Sequence, residues 1–444
     1  MRYLPHTSEE IKEMLAFTGH SQLEGLFSHI PDSCRYQGEI QVPGPLSEWA
    51  LTDHVKLLGL QMETASARAV LVGAGSYYHY TPEIVRSLIG RSEFLTAYTP
   101  YQPEMAQGTL QGIFEYQTLT ARLLGTEVAN ASMYDGASAL AEALLMGIRI
   151  SRKKQVVAVS SAIHPHYREV VRTYLEPGPF SIIELPIGAD GRTDLSSLKD
   201  TDELAAVALQ SPNFFGVIED LKSASESIHD VGALFIACFS EPFAYGLLRS
   251  PGSCHADIVC GEGQSFGMNP SYGGAGLGMF GCRKEFLRSM PGRVVGETVD
   301  IDGKRGYVLT LSTREQHIRR EKATSNICSN QGICAMTAAA YMASLGGTGL
   351  RKVAKLNYDK AMYLRNGLLA SGARQLFSGP TFNEFAVTFE RDFSAVRKRL
   401  LDKNIIAGIE LGSFYREYDG AYLFCVTETA SRAVLDELLN EVRS

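Results

Sequence analysis

The stretch Asp257–Gly278, DIVCGEGQSFGMNPSYGGAGLG, decides how the rest of the chain is read. It opens as a short apolar β-run, turns through the polar Gln264-Ser265-Phe266 and ends in a glycine-rich loop. Upstream of it, β-runs and helical segments alternate. Val156–Val159, Ile182–Leu185, Ala206–Gln210, Ala233–Ala237 and Ile258–Val259 are short apolar runs, and Pro165–Leu175 reads as a helix between the first two. Apolar runs separated by helices are the pattern of parallel strands covered on both faces. The expectation is an α/β chain built on a large, mostly parallel sheet.

At 444 residues the chain is long enough for two domains and an arm. Its net charge of −7 and pI near 5.9 argue against a nucleic-acid partner, which would need a basic face. No run of about 18 apolar residues suggests a membrane span. The first fifteen residues carry Glu9, Glu10 and Glu13 and no apolar centre, so no secretory signal is expected. The eight cysteines lie singly, and the pairs Cys254/Cys260 and Cys328/Cys334 have a C-x5-C spacing unlike that of zinc sites. They read as reduced thiols of a cytoplasmic protein with no metal centre.

In chain order, residues 1–66 form an arm. A helix starts at Thr7-Ser8-Glu9-Glu10, with a capping box at Ser8…Ile11 that lacks its acid, and a second helix spans Leu46–Ala69. Residues 67–331 form the large domain. Thr81-Pro82-Glu83 starts a helix with Thr81 as its cap, and Gly90 stops it. Glu93–Gly108 follows, with Tyr98, Tyr101 and Glu104 set around Pro100 and Pro103, which stiffen the backbone. It reads either as a rigid surface loop or as a loop inserted at an active site shared between subunits. Thr109–Leu124 is a helix closed by Gly125, and another runs from Gly136 to about Ile150 with Asp135 as its N-cap. Glu219-Asp220 reads as solvated or capping, Arg283–Ser289 as a helix, and Gly292–Asp302 as a turn-rich crossover. In Leu311–Gln331, Arg314, His317, Arg319, Arg320 and Lys322 crowd ahead of Ala323-Thr324-Ser325-Asn326. Residues 332–444 read as a small α+β domain. Its helices are Ile333–Leu345, Leu350–Leu369, Phe393–Asp402 and Ser431–Val442, and its strands Phe385–Phe389 and Ala421–Val426.

The blocks at 93–118, 130–142, 257–278 and 311–331 resemble the glycine cleavage P-protein (glycine decarboxylase) family, over nearly the whole length. The resemblance implies the fold type I of pyridoxal-phosphate (PLP) enzymes, aspartate-aminotransferase-like, with the large and small domains above. The cofactor-bearing half of that family has a lysine where Gln264 stands, and an amide cannot form a Schiff base. The carboxylate that would pair with the ring nitrogen, at the end of Ala233–Cys238, is replaced by Cys238. The N-terminus of the helix at Gly136 would hold the phosphate, but Asp135 is a poor companion for a dianion. His164 and His166 stand where the family stacks a histidine on the ring, and without lysine and carboxylate they read as structural.

The resemblance therefore implies the α half, subunit 1, of a two-chain form. A β subunit would hold PLP in an α2β2 assembly, glycine would be decarboxylated, and the aminomethyl group would pass to the lipoyl arm of H-protein. Tyr98, Tyr101 and Glu104 are then contributions to the partner's catalytic site, with Thr324 and Ser325 at the phosphate of its PLP. The basic cluster backs that phosphate site or meets the lipoyl-bearing partner. Two other readings stay open. One is a self-sufficient PLP enzyme using Lys222 or Lys284; the other is a non-catalytic binding or regulatory protein on a decayed scaffold.

Overall fold

The computed structural model describes residues 5–36, 38–62, 68–96, 98–198 and 203–444. It forms two compact units, 1–63 and 64–444. In the first, helix α1 spans Ser8–Phe17 and α2 spans Glu48–Leu60. The cap of α1 is Thr7, one residue earlier than expected, and its box is complete: Thr7 Oγ1 accepts from Glu10 N, and Glu10 Oε2 accepts from Thr7 N. The second helix starts at Glu48 and ends at Leu60, rather than running Leu46–Ala69. Residues 63–67, and with them the expected arm boundary at 66/67, lie outside the described residues.

The second unit begins with strand β1 (Ala69–Leu71), so Ala69 is extended, not helical. Helix α3 (Glu83–Ile89) is capped by Pro82 without a side-chain bond, and Thr81 is buried instead of capping. Helix α4 (Gln107–Leu124) ends at Gly125, left-handed at φ 70°. Then come β2 (Val128–Ala129), α5 (Gly136–Ser151), β3 (Val156–Ser160), α6 (Pro165–Leu175), β4 (Ser181–Leu185) and β5 (Leu204–Gln210). Helix α7 (Leu221–Asp230), β6 (Leu234–Phe239), β7 (Ile258–Glu262) and β8 (Gly278–Cys282) complete the main sheet. Its order is β2-β8-β7-β6-β5-β3-β4, parallel from β4 to β7, with β8 and β2 antiparallel at one edge.

The period-two alternation of these strands sorts their side chains onto two faces. Val157, Val159, Ala206, Ala208, Ile236, Cys238, Ile258 and Cys260 pack with α5 and α6 on one face. Ala158, Val207, Leu209, Phe235, Ala237, Phe239 and Val259 pack with α7 and the start of the long helix Gly332–Ala370 on the other. Burial on both sides explains why the strands read as continuous apolar runs rather than half-polar ones.

The expected crossover at Gly292–Asp302 is instead a hairpin. Strand β9 (Val294–Val299) pairs antiparallel with β10 (Arg305–Thr310), and Asp300 Oδ1 accepts from Asp302 N and Lys304 N across its turn. Alternation in Val-Val-Gly-Glu-Thr-Val followed by Asp-Gly was the missed signal. Lys284–Ser289 is 3₁₀, not α. Helix α8 (Gln316–Arg319) is a single turn. Helix α9 (Gly332–Ala370) is long and apolar enough to cross a membrane, but Gly346 (φ 59°, ψ 178°) breaks its backbone where a break was expected. Its first half, Cys334 to Met342, belongs to the main core.

Five more strands and two helices follow α9. They are β11 (Arg374–Gln375), β12 (Glu384–Thr388), α10 (Phe393–Asp402), β13 (Ile405–Ala407), β14 (Ile409–Glu410), β15 (Ala421–Cys425) and α11 (Arg432–Arg443). The order β11-β12-β15-β14 makes an antiparallel sheet, and β13 pairs in parallel with β1. The short strands β11, β13 and β14 went unread because two or three residues carry no period.

Candidate active site

An open parallel sheet binds ligands outside the carboxyl ends of its strands, where the strand order reverses. Here the chain runs from β3 out to β4 and returns past β3 to β5, so the crevice opens at the ends of β3 and β5. His164 and Gln210 stand there, and His164 N donates to Gln210 Oε1 at 2.9 Å. The His164 Nδ1 accepts from His166 N at 3.2 Å, which leaves the proton on Nε2, 2.9 Å from Ala74 O. Burial depresses this imidazole to about 4, so it is neutral near pH 7. Its ring stacks on Tyr167 (centroids 5.0 Å apart, 29° between planes).

The start of α5 is already supplied with an anion. Glu262, 7% exposed, accepts from Gly136 N through Oε2 at 2.9 Å, and from Gln264 N and Leu277 N through Oε1 at 2.9 and 2.8 Å. Burial raises its pKa, and the backbone donors work against that rise. Asp135 caps the same helix: its carboxylate accepts from Ser138 N while Ser138 Oγ accepts from Asp135 N, as expected of a capping residue. Gly136 has no room for a side chain, since a Cβ would lie 2.4 Å from Tyr167 Oη and 2.8 Å from Glu262 N.

Gln264 is locked in the role of a strand partner. Its Oε1 accepts from Tyr77 N at 3.0 Å, and its Nε2 donates to Tyr77 O at 3.0 Å and to Met268 O. Cys238 is fully buried in register with Cys260. Beside them Tyr77 Oη donates to Glu384 Oε2 at 2.7 Å and meets Ser240 Oγ at 3.0 Å. Next along the chain, His79 lies between Glu241 Oε2 (2.9 Å) and Glu428 Oε2 (2.8 Å).

PLP needs an amine for its aldehyde, a carboxylate for its ring nitrogen and free donors for its phosphate. This crevice has an amide bonded at both ends, a buried thiol and a helix start that Glu262 occupies. The residues do not fit the cofactor. Lys222 and Lys284, the two alternative amines, are both exposed, one in the first turn of α7 and one at the start of the 3₁₀ turn after β8.

The second group of expected site residues comes together at the surface of the same unit. Tyr98 is 73% exposed and Tyr101 43%, and their rings meet edge to face at 6.2 Å. His317 stands edge-on to Tyr101 at 6.1 Å. Beneath them lies Arg293, 3% exposed, which the sequence reading passed over. It donates to Thr99 Oγ1 at 3.1 Å and to Tyr101 Oη at 2.5 Å, and its Nε is 3.1 Å from Glu315 Oε2. Thr324 is tied in through its backbone, donating to Arg314 O at 3.0 Å, while Arg314 Nη2 donates to Gly292 O at 2.9 Å.

The remaining expected residues do not all join this cluster. Ser325 turns its hydroxyl inward onto Glu142 Oε1 at 2.7 Å. Glu104, Arg319, Arg320 and Lys322 are exposed. Asp220 caps α7, as anticipated, through Ser223 N. Glu219 is neither solvated nor capping: it is buried and accepts from Thr193 N, Thr193 Oγ1 and Asn213 Nδ2.

The glycine cleavage system P-protein family model matches residues 1–442. A protein of Desulfotalea psychrophila called probable glycine dehydrogenase (decarboxylating) subunit 1 is 64% identical over 443 residues, 100% of this chain and 98% of its own. The crystal structure of a glycine decarboxylase (P-protein) of the glycine cleavage system, in inhibitor-bound form, superposes with a TM-score of 0.88 at 43% identity. It covers 100% of this chain and 99% of that one. At 15% identity, a sphingosine-1-phosphate lyase of Burkholderia pseudomallei K96243 shares the fold alone, with a TM-score of 0.67 over 93% of this chain and 94% of its own. The architecture is that of PLP fold type I, and the chain belongs to the glycine cleavage system P-protein family.

Proposed function

We propose that this chain is subunit 1 of a two-chain glycine dehydrogenase (decarboxylating), active only with a partner subunit that holds PLP. The observation that carries the reading is the crevice filled by Glu262, Gln264, Cys238 and Tyr167, set beside a full-length likeness to subunit 1 proteins. A chain whose own cofactor position is occupied by its own side chains contributes to the reaction from elsewhere. The reaction is decarboxylation of glycine with transfer of the aminomethyl group to the lipoyl arm of H-protein, in an α2β2 assembly. The eight unpaired cysteines support a reducing, cytoplasmic setting.

In this reading the Tyr98–Tyr101 patch and Thr324 close the partner's site. The two rings exclude water, and the Tyr101 hydroxyl donates to the carboxylate of glycine. The Thr324 hydroxyl supplies the phosphate end, its backbone N–H being held by Arg314 O, whereas Ser325 is committed to Glu142 and serves the loop's shape. Glu104 stands exposed at the rim of that loop, available to the partner. The boundary at 331/332 between a large and a small domain is part of the same proposal. It falls at the start of α9.

The test is spectroscopic and kinetic. The purified chain with PLP and borohydride should give no reduced lysine adduct. The mixture with the partner subunit should give one on the partner alone, together with glycine-dependent carbon dioxide exchange. An adduct on this chain by itself would overturn the reading.

A further inference from the structure

Arg293 has a different character from the charged residues around it. Its backbone is fixed: Ala131 N donates to its carbonyl at 2.8 Å, and the preceding Gly292 carbonyl accepts from Arg314. Gly292 itself has φ 73°, and a Cβ there would come 2.8 Å from Asn130 Nδ2, so the segment is held against β2. From that anchorage one guanidinium reaches three groups on two loops: Thr99 and Tyr101 on the proline-framed loop, and Glu315 ahead of α8. Its Cζ also lies 4.9 Å from the centre of the Tyr101 ring. The planar fork donates to Thr99 and Tyr101 from two fixed positions while its charge pairs with Glu315, a fixed geometry that a freely rotating ammonium does not reproduce.

The polarity of the Tyr101 contact matters most. Arg293 Nη2 is the donor, so the phenol oxygen is the acceptor, and a hydroxyl has one proton to give. That proton has no acceptor among the described residues, and Tyr101 is 43% exposed. A phenol held this way presents an outward donor whose direction is set by a buried cation.

Resting on the functional reading above, we propose that Arg293 is a positioning residue that aims the Tyr101 hydroxyl at the carboxylate of glycine in the shared active site. It acts through Tyr101 and does not itself touch substrate. The Glu315 carboxylate balances its charge at 3.1 Å, so the cluster attracts the anionic substrate through one directed O–H rather than through net charge.

The test is a double-mutant cycle in the complex reconstituted with the partner subunit, with assembly checked by sedimentation. Tyr101→Phe and Arg293→Lys should each lower kcat/KM for glycine roughly 10- to 100-fold, the worth of one hydrogen bond to a charged group. The loss should fall mainly on KM. In the Tyr101→Phe background, Arg293→Lys should then cost no more than about threefold further. Should Arg293→Lys fail to assemble, the cycle is run with Arg293→Gln, which keeps one neutral amide donor group. Losses that simply multiply would overturn the positioning role, because Arg293 would then act independently of Tyr101. Wild-type kinetics for Tyr101→Phe would overturn both this role and the placement of Tyr101 at the site. A wild-type complex without glycine turnover would instead overturn the functional reading itself.

Discussion

Raising the pH from 6.5 to 9 should weaken the fold through one buried histidine. His79 is enclosed by Glu241 and Glu428, with Tyr77, Phe243, Asn383, Tyr341 and Cys425 among the surrounding groups. Burial works against its charge, but Glu241 and Glu428 together outweigh burial and push its pKa up to about 9. The unfolded chain releases this proton near 6.5, whereas the folded chain keeps it. A histidine raised on folding contributes stability that is complete below pH 6.5 and is lost as pH rises through about 9. At 1.36 kcal/mol per pH unit the interval corresponds to about 3 kcal/mol.

Two neighbours limit the window. Burial raises Glu384 to about 7, which also costs stability as pH rises, but mostly below 6.5. Burial depresses His164 to about 4, which costs stability as pH falls below 6.5 and opposes Glu384 there. Burial also raises the pKa values of Glu262, Glu219 and Glu142, whose loss of stability as pH rises adds to that of His79. The buried thiols, with an ordinary value of 9.0, add theirs at the upper end. Urea unfolding at pH 6.5, 7.5 and 9 is the assay. The midpoint should fall steadily in the wild type, and His79→Gln should be weaker at pH 6.5 and fall less steeply over the same range. A wild-type midpoint constant over that interval would refute the assignment of a charged His79.

Other consequences follow from the filled crevice. Gly136→Ala should cost roughly 2–4 kcal/mol, because the new methyl meets the Glu262 backbone as well as Tyr167; a melting temperature within a degree or two of wild type would contradict this. Glu262→Gln exchanges one acceptor oxygen for a donor amide among three backbone donors, and should cost about 1–3 kcal/mol in denaturant unfolding at pH 7. Gln264→Lys should give no borohydride-reducible PLP adduct by mass analysis, since Glu262 still blocks the helix start; an adduct would show that one residue alone keeps the cofactor out.

The fold was legible where burial wrote a period into the sequence. The runs of β3, β5 and β6 are apolar on both faces, and α6 and α10 carry a cap at one end and an apolar stripe, so their bounds were read within a residue or two. In contrast, β7 runs three residues beyond the Ile258–Val259 that was read. The hairpin at 294–310 was missed because Val299 and Ile301 are exposed there, and polar alternation passes for turn. At the site, single residues such as Gln264 and Cys238 announced themselves by standing in a position of known chemistry. Glu262 and Arg293 did not, because their roles depend on partners 126 and 192 residues away in contacts that no local spacing encodes.

The form of the crevice argues for a chain whose folding is complete without a cofactor. A helix start aimed into a buried crevice carries N–H groups that must find an acceptor, and burying them unpaired costs about 1–3 kcal/mol each. In a cofactor-bearing chain of this fold a phosphate answers that requirement. Here Glu262 does so from within the chain, Tyr167 lies against His164 as a ring would, and Gln264 pairs with Tyr77 instead of presenting an amine. Each replacement satisfies a group that the fold would otherwise leave bare. The strand ends that a ligand would occupy are thereby tied to Tyr77 and, through it, to Glu384 on β12. Among the described residues the surface cluster of Tyr98 and Tyr101 over Arg293 stays open, and under the proposed reading it is there that this chain offers a donor to its partner.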